Sequence, residues 1–317
     1  MKHNFPSLTF VFAAAAVVLA ALAAGARGQE PGVRGQGAAA SAIVGDAARR
    51  ISAEPAIAAE LRYRVDAFGH VLVGTGNYLQ FGATSEKLIR LDLRMQLGDK
   101  TAAVQEIRGN DAYWVRRDVP PAAPTLGRVD LRQLRKSLGQ AAPASPDHVL
   151  PQGDWIMLGG LSRLLTALDQ NFAFDEPKPD ELQFSAEGGA VVRLPIWQVT
   201  GRWKPEQLQS LTGANPAKNA SLPEQLPDRV DLVLGRTDGV LPLFPYRITY
   251  WRSAPIQSEK GAKAAPTAPR ELVTLEFFNV SRRQIDAREF DYQPGDQDVQ
   301  NLTPSYVQRL TTDTKLR

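Results

Sequence analysis

Residues 60–97, ELRYRVDAFGHVLVGTGNYLQFGATSEKLIRLDLRMQL, decide the fold. Leu61, Tyr63 and Val65 alternate with Arg62, Arg64 and Asp66, the period of two that a strand needs when one face is buried and the other is wet. Phe68-Gly69-His70 supplies a reversal, and a second strand is predicted from Val71 to Phe81. Gly74 and Gly76 share one face of it, which predicts a bend or a close approach by something bulky. After Gly82 to Ser85, a third strand places Ile89, Leu91, Leu93, Met95 and Leu97 on one face, with Arg90, Asp92, Arg94 and Gln96 on the other. Short connections between such strands predict an antiparallel meander.

Working outward, Met1 to Ala26 has the form of a secretory signal: Lys2, an apolar run from Phe10 to Ala24, then Ala24-Gly25-Ala26 for cleavage. The rival reading, an uncleaved anchor, meets a run shorter than the roughly 20 apolar residues that span a bilayer. No later segment is apolar enough to cross a membrane, so the expected location is periplasmic or secreted. The chain has no cysteine, which removes disulfides, thiol catalysis, Cys-based metal sites and a lipid-modified N-terminal cysteine. With 37 basic against 34 acidic residues, net charge is +3 and no polybasic run stands out, so nucleic acid is not an expected partner.

Residues 27–39, rich in Gly, Ala and Gln, read as a flexible leader, and residues 40–317 as one domain with Pro-rich insertions. A helix is predicted over Ser41–Ile51, and the meander continues through Ala102–Ile107, a Gly109-Asn110-Asp111 turn and Ala112–Arg117. Pro120, Pro121 and Pro124 then break the sheet, and Asp130 caps a short helix running to Leu138. Asp154 to Gln170 is predicted as one helix, with Leu158, Leu161, Leu165 and Leu168 on one stripe and Trp155 widening it. Gly159-Gly160 inside it marks a bend or a surface where another element packs closely.

Further strands are predicted over Asn171–Asp175, Glu181–Ala186, Ala190–Trp203, Arg229–Leu234, Leu243–Arg252, Glu271–Val280 and Arg288–Tyr292, with a short helical segment at Lys204-Pro205-Glu206. A last helix is predicted after Thr303 as cap and Pro304, with Leu302 and Val307 as its hydrophobic staple. The expected fold is α+β: a curved antiparallel sheet forming an incomplete β-barrel, closed by helices.

Chemistry is sparse. His3, His70 and His148 lie far apart without metal-ligand spacing. Gly74-Thr75-Gly76 lacks the third glycine and the strand-to-helix setting of a dinucleotide site. Asp291, Asp296 and Asp298 lack the order and closing Glu of a calcium loop. Asn219, Asn279 and Asn301 begin N-x-S/T sequons. No cofactor, metal or catalytic residue is expected. What the sequence does offer is apolar and aromatic surface, including Trp114, Trp155, Trp197, Trp203 and Trp251, which a curved sheet and a Leu-rich helix could gather around a pocket.

The order of elements resembles the outer-membrane lipoprotein carrier and sorting family (LolA/LolB-like). Ile51-Ser-Ala-Glu-Pro through Gly74-Thr-Gly-Asn-Tyr-Leu-Gln80 looks like its opening strands, and Leu88-Ile-Arg-Leu-Asp-Leu93 like its third. Leu272-Val-Thr-Leu-Glu-Phe-Phe-Asn-Val280, Ile285-Asp286 and Phe290-Asp-Tyr-Gln-Pro294 are similar to its closing strands. The resemblance implies a half-open barrel holding acyl chains without catalysis, with a lipid or an acylated protein and transient envelope proteins as partners. By this resemblance, Arg90 is the nearest match to an arginine that the family uses near its cavity mouth. The cavity candidates are Trp155, Leu158, Leu161 and Leu165 from the helix, Leu91 and Leu93 from the third strand, and Arg90. The alternative is an envelope scaffold whose barrel is filled by its own side chains; a hydrolase built on a carboxylate pair stands third.

Overall fold

The computed structural model describes residues 37–67, 70–82, 86–97, 99–141, 155–185, 191–212, 226–236, 241–253 and 268–308. The signal expected at the N-terminus, most of the leader, the Phe68-Gly69 turn, and the loops around residues 142–154, 213–225 and 254–267 lie outside them.

One curved sheet of 13 strands organises the chain. Strands β1 (Ala56–Ala67), β2 (His70–Phe81), β3 (Leu88–Leu97), β4 (Lys100–Arg108), β5 (Ala112–Asp118) and β6 (Thr125–Asp130) form the meander. The chain then passes through α2 (Leu131–Ala141), α3 (Trp155–Leu158) and α4 (Leu161–Asn171) to the other edge. There β7 (Phe172–Phe174) and β8 (Lys178–Ser185) both pair with β9 (Val191–Trp203). Helix α5 (Pro205–Thr212) follows, and β10 (Arg229–Gly235), β11 (Pro245–Arg252) and β12 (Arg270–Ser281) walk back until β12 pairs with β1. A last short strand, β13 (Val299–Asn301), runs parallel to β6; every other pairing is antiparallel. The sheet does not close: β13–β6 is one end of the strand order and β7 the other.

The period-two pattern reappears as two faces. On the inner face, Leu61, Tyr63 and Val65 line up with Tyr78, Ile89, Leu91 and Met95 on one side and with Phe277, Leu275 and Val273 on the other, all in one buried core. Helix α1 (Gly37–Ala53) contributes Val44, Ala47 and Ile51 to that core, and α4 contributes Leu161, Leu164, Leu165 and Leu168. On the outer face, the segment after β12 lays Ile285 and Phe290 over Ala58, Leu79, Leu88 and Ile107 in a second, smaller core.

Gly76 faces inward between Leu61 and Leu93 of the flanking strands. A Cβ there would overlap the Asp92 carbonyl oxygen, and a Cβ on Gly74 would come within 2.6 Å of the Arg94 oxygen. Close approach of β2 to β3, the second of the two sequence expectations, is thus what requires glycine at both positions.

Several expectations need correction. The predicted helix from Asp154 to Gln170 is two helices, because Gly159 and Gly160 take φ of 135° and 73°, values that favour glycine. Helix α1 starts at Gly37, inside the stretch read as leader. The predicted strand at Arg288–Tyr292 is a 3-10 turn, Ala287–Phe290. Asp286 caps it through the Arg288 N–H, and Glu289 reaches back to the Asp286 N–H, so local capping overrides the apolar pattern. Strands β6 and β13 were missed: β6 follows a Pro-rich stretch, and Val-Gln-Asn of β13 has no apolar alternation.

Asp130 does cap α2, accepting from the Gln133 N–H at 2.9 Å. Thr303 does not cap the last helix in the expected way. Its hydroxyl accepts instead from the Asp130 N–H, and Asn301 accepts from the Thr303 N–H.

The glycine argument predicts opposite signs at two positions. Gly76→Ala should cost about 1–3 kcal/mol through overpacking against backbone. Gly139→Ala, at an exposed helix position with nothing within 4 Å of the new methyl, should gain ~0.5–1 kcal/mol. Urea unfolding of both variants checks this; a neutral Gly76→Ala would refute the close-approach account.

Candidate functional site

Among the described residues, the candidate cavity side chains lie in the apolar interior between sheet and helices, and a polar cleft lies on the outer face.

In the interior, six of the seven cavity candidates come together. Trp155, Leu161, Leu165 and Leu91 belong to the inner core, at 7%, 0%, 0% and 5% exposure, and Leu93 and Leu158 pack half-buried against it. Arg90 is apart from them on the outer face, as strand alternation requires. Its Nε donates to Asp92 at 2.7 Å and its Nη1 to the Glu289 carbonyl at 3.0 Å, so it ties β3 to the capped turn.

An aromatic train crosses the interior. Trp155 stacks on Tyr78 with centroids 5.8 Å apart, and Tyr78 meets Phe277 edge-on at 6.1 Å. Phe277 continues to Phe244 at 5.7 Å. Offset and edge-on geometries are those that the ring quadrupoles favour.

A few buried polar groups hold the helices to the sheet. The Tyr78 hydroxyl donates to Gln80 Oε1 at 2.8 Å and accepts from the Leu161 N–H at 3.2 Å, taking one of the free donors at the start of α4. Gln80 Nε2 donates to the Ile51 carbonyl in the last turn of α1. Gly160 fits against this pair, since a Cβ there would overlap the Tyr78 hydroxyl. Arg108 reaches from β4 to the Met157 carbonyl at 2.7 Å and also donates to the Lys87 carbonyl. Lys87, fully buried, donates to the Glu54 and Gly82 carbonyls at 3.0 and 2.9 Å.

Burial shapes the ionisation of these groups. It lowers the Lys87 ammonium to about 8, the Glu54 charge opposing it. It lowers the Arg108 guanidinium to about 10, with Arg135 adding to the shift and Glu86 opposing it. It raises the hydroxyls of Tyr63, Tyr78 and Tyr250 well above their ordinary value. Sequence reasoning missed this set. The one available signal was Tyr78 and Gln80 at inward positions of β2, a polar end to an otherwise apolar face.

The outer cleft has a volume of about 650 Å³ and spans β12, β1, β2, β3, β4 and β5. Asp92 sits in it as an acceptor for Arg90 and for Gln105 Nε2 at 2.6 Å. Glu60 accepts from the Asn279 amide at 2.9 Å, and Asn279 has a φ of 50°. Arg94, Arg116 and Asp118 complete the walls. Among the described residues no group of three or more His, Cys, Asp or Glu side chains could hold a metal, and no helix is long and apolar enough to cross a membrane.

No family model matches the sequence, and no curated protein matches it. Among solved structures the chain is similar to a DUF1329 family protein from Desulfovibrio piger, with 11% identity and a TM-score of 0.31 over 80% of this chain and 98% of that one. It is also similar to a Vibrio parahaemolyticus domain provisionally described as an outer membrane lipoprotein-sorting protein, with 9% identity and the same TM-score over 81% of this chain and 97% of that one. At this TM-score the likeness by itself assigns neither a fold nor a function.

Lys87 generates a pH prediction. Its amine is lowered in the folded state relative to the ordinary 10.5 of the unfolded chain, so between pH 8 and 10 the unfolded state binds more protons and stability rises with pH. Above pH 10 the buried tyrosines reverse the trend, because unfolded tyrosines ionise there and folded ones do not. Urea unfolding from pH 7.5 to 9.5 should show a gain on the order of 1–2 kcal/mol. Lys87→Met should be less stable throughout but flat over that window; an unchanged slope in the variant would rule Lys87 out as the cause.

Proposed function

We propose that the protein is a non-enzymatic carrier of acyl chains in the cell envelope, taking its cargo from a lipid or an acylated protein. In this reading the interior between the sheet and helices α1, α3 and α4 is the acyl site in its closed form. The supporting observation is that an unclosed sheet turns an apolar inner face toward helices that share its core. The sequence resemblance points the same way.

Energetics make the exchange feasible. Helices held by side-chain packing can leave a sheet without breaking a strand ladder. Moving α4 breaks the Tyr78–Leu161 bond and exposes Leu161, Leu164, Leu165 and Leu168, at ~1.5–3 kcal/mol per leucine. An entering acyl chain returns about 0.8 kcal/mol per methylene it buries. A chain of roughly fifteen methylenes would therefore offset the loss, giving the near balance that reversible loading needs. The Gly159-Gly160 break separates α4 from α3 and gives α4 a place to swing.

A second reading rests on a specific observation too. Leu161 and Leu165 are fully buried and Trp155 nearly so, which suits an envelope scaffold with a filled interior.

One experiment separates the two: native mass spectrometry of protein purified from an envelope extract, with titration of a fluorescent hexadecanoyl probe. The carrier should show acyl adducts and saturable one-to-one uptake, weakened about tenfold or more in Leu158→Asp, a change at a half-buried position. A bare mass and no uptake by protein with an intact melting transition would leave the scaffold.

A further inference from the structure

The geometry points to the outer cleft as a second binding site, for a small zwitterion that carries a phosphate group and an ammonium. It lies on the opposite face of the sheet from the acyl interior, so it stands or falls independently of the carrier reading.

Several arginines on that face are ion-paired, and three charged side chains without a partner among the described residues lie together. Arg62 and Arg247 pair with Glu276, Arg64 pairs with Glu271, and Arg90 pairs with Asp92. The side chains of Arg94, Arg116 and Asp118 have no hydrogen bond or ion pair among the described residues, and all three residues line the cleft. Arg116 and Asp118 are half-buried, so their charges are partly removed from water without a protein partner in return.

Register keeps Arg94 away from Asp118. Arg94 of β3 stands opposite Ala103 of β4, and Ala103 stands opposite Asp118 of β5. Arg94 and Asp118 are therefore two strand spacings apart, roughly 9–10 Å at the backbone. The small Ala103 side chain leaves the floor between them open. Arg116 stands one row along on β5, opposite Gln105.

The charges specify the ligand. Two guanidinium forks match the several oxygens of a phosphate, which can accept from both, whereas one carboxylate is filled by one fork. Asp118 supplies the acceptor for an ammonium on the far side. The trio carries net +1 and Glu60, held by the Asn279 amide, offsets it across the cleft, so the lining is balanced overall, as a phosphate ester bearing an ammonium nearly is. Arg90 and Asp92 already neutralise each other and serve as the fixed wall.

The test is calorimetric titration of the purified protein at low salt with O-phosphoethanolamine, inorganic phosphate and ethanolamine. O-Phosphoethanolamine should bind at least tenfold tighter than either fragment. Arg94→Gln and Arg116→Gln should each weaken it tenfold or more. Asp118→Asn should weaken O-phosphoethanolamine while leaving inorganic phosphate unchanged, a split that loss of folding could not produce. Thermal melts accompany each variant; Arg94 is exposed, so Arg94→Gln decides the matter should Arg116→Gln fail to fold. Sedimentation with phosphatidylethanolamine vesicles, against phosphatidylglycerol vesicles, tells a lipid headgroup from a free phosphate ester as the natural source. Absence of binding to wild type, or equal affinity in all three variants, would overturn the assignment.

Discussion

The pairing of β1 with β12 is the constraint on which the rest of the structure depends. Each half of the sheet is built from neighbours in sequence: β1 to β6 on one side, β7 to β12 on the other. Among the described strands, the β1–β12 ladder joins them. It sets Leu61, Tyr63 and Val65 beside Phe277, Leu275 and Val273, so that two local meanders share one apolar face. Ion pairs across the same ladder, such as Arg62–Glu276 and Arg64–Glu271, remain partly open to solvent and contribute modestly to stability. Their use is in register, since a slip of one residue would put arginines into the core.

With the halves joined, the inner face is too wide for its own side chains to cover, and α1 and α4 supply the cover. Their position is set by a few polar contacts in an apolar setting. Such contacts are costly to leave unmade, which gives them specificity beyond their net contribution to stability. Tyr78 joins α4 to β2, Gln80 joins α1 to β2, and Arg108 joins α3 to β4. All three lie toward the same end of the meander, near the beginning of β3 and the end of β4. The cover is thus pinned at that end and held by leucine packing along α4.

The outer face obeys a different logic. There the segment after β12 crosses the sheet and buries one row of side chains, leaving the next rows to form the cleft. Arg90 marks the boundary: it bonds to the crossing segment through Glu289 and to the cleft through Asp92. An arginine that sequence likeness placed at the mouth of an apolar cavity is instead the wall of a polar one.

Alternation alone determined much. It placed the strands from Leu61 to Arg117, the later strands near Phe172, Val191, Arg229, Pro245 and Arg270, and the division of each into an apolar and a polar face. Helix capping by Asp130 and the special role of Gly159-Gly160 were legible for the same reason: each depends on residues close in the chain. Trp155, Leu158, Leu161, Leu165, Leu91 and Leu93 meet in or against one core because helix period and strand period both select one face. Tertiary structure decided what lies between distant segments. The β1–β12 register spans more than 200 positions, as in Arg62 to Glu276, separated by 214. No local period encodes that partner. The same holds for Tyr78 against Leu161, for Thr303 against Asp130, and for the cleft, where Arg94 faces Arg116 and Asp118 only when three strands come into register.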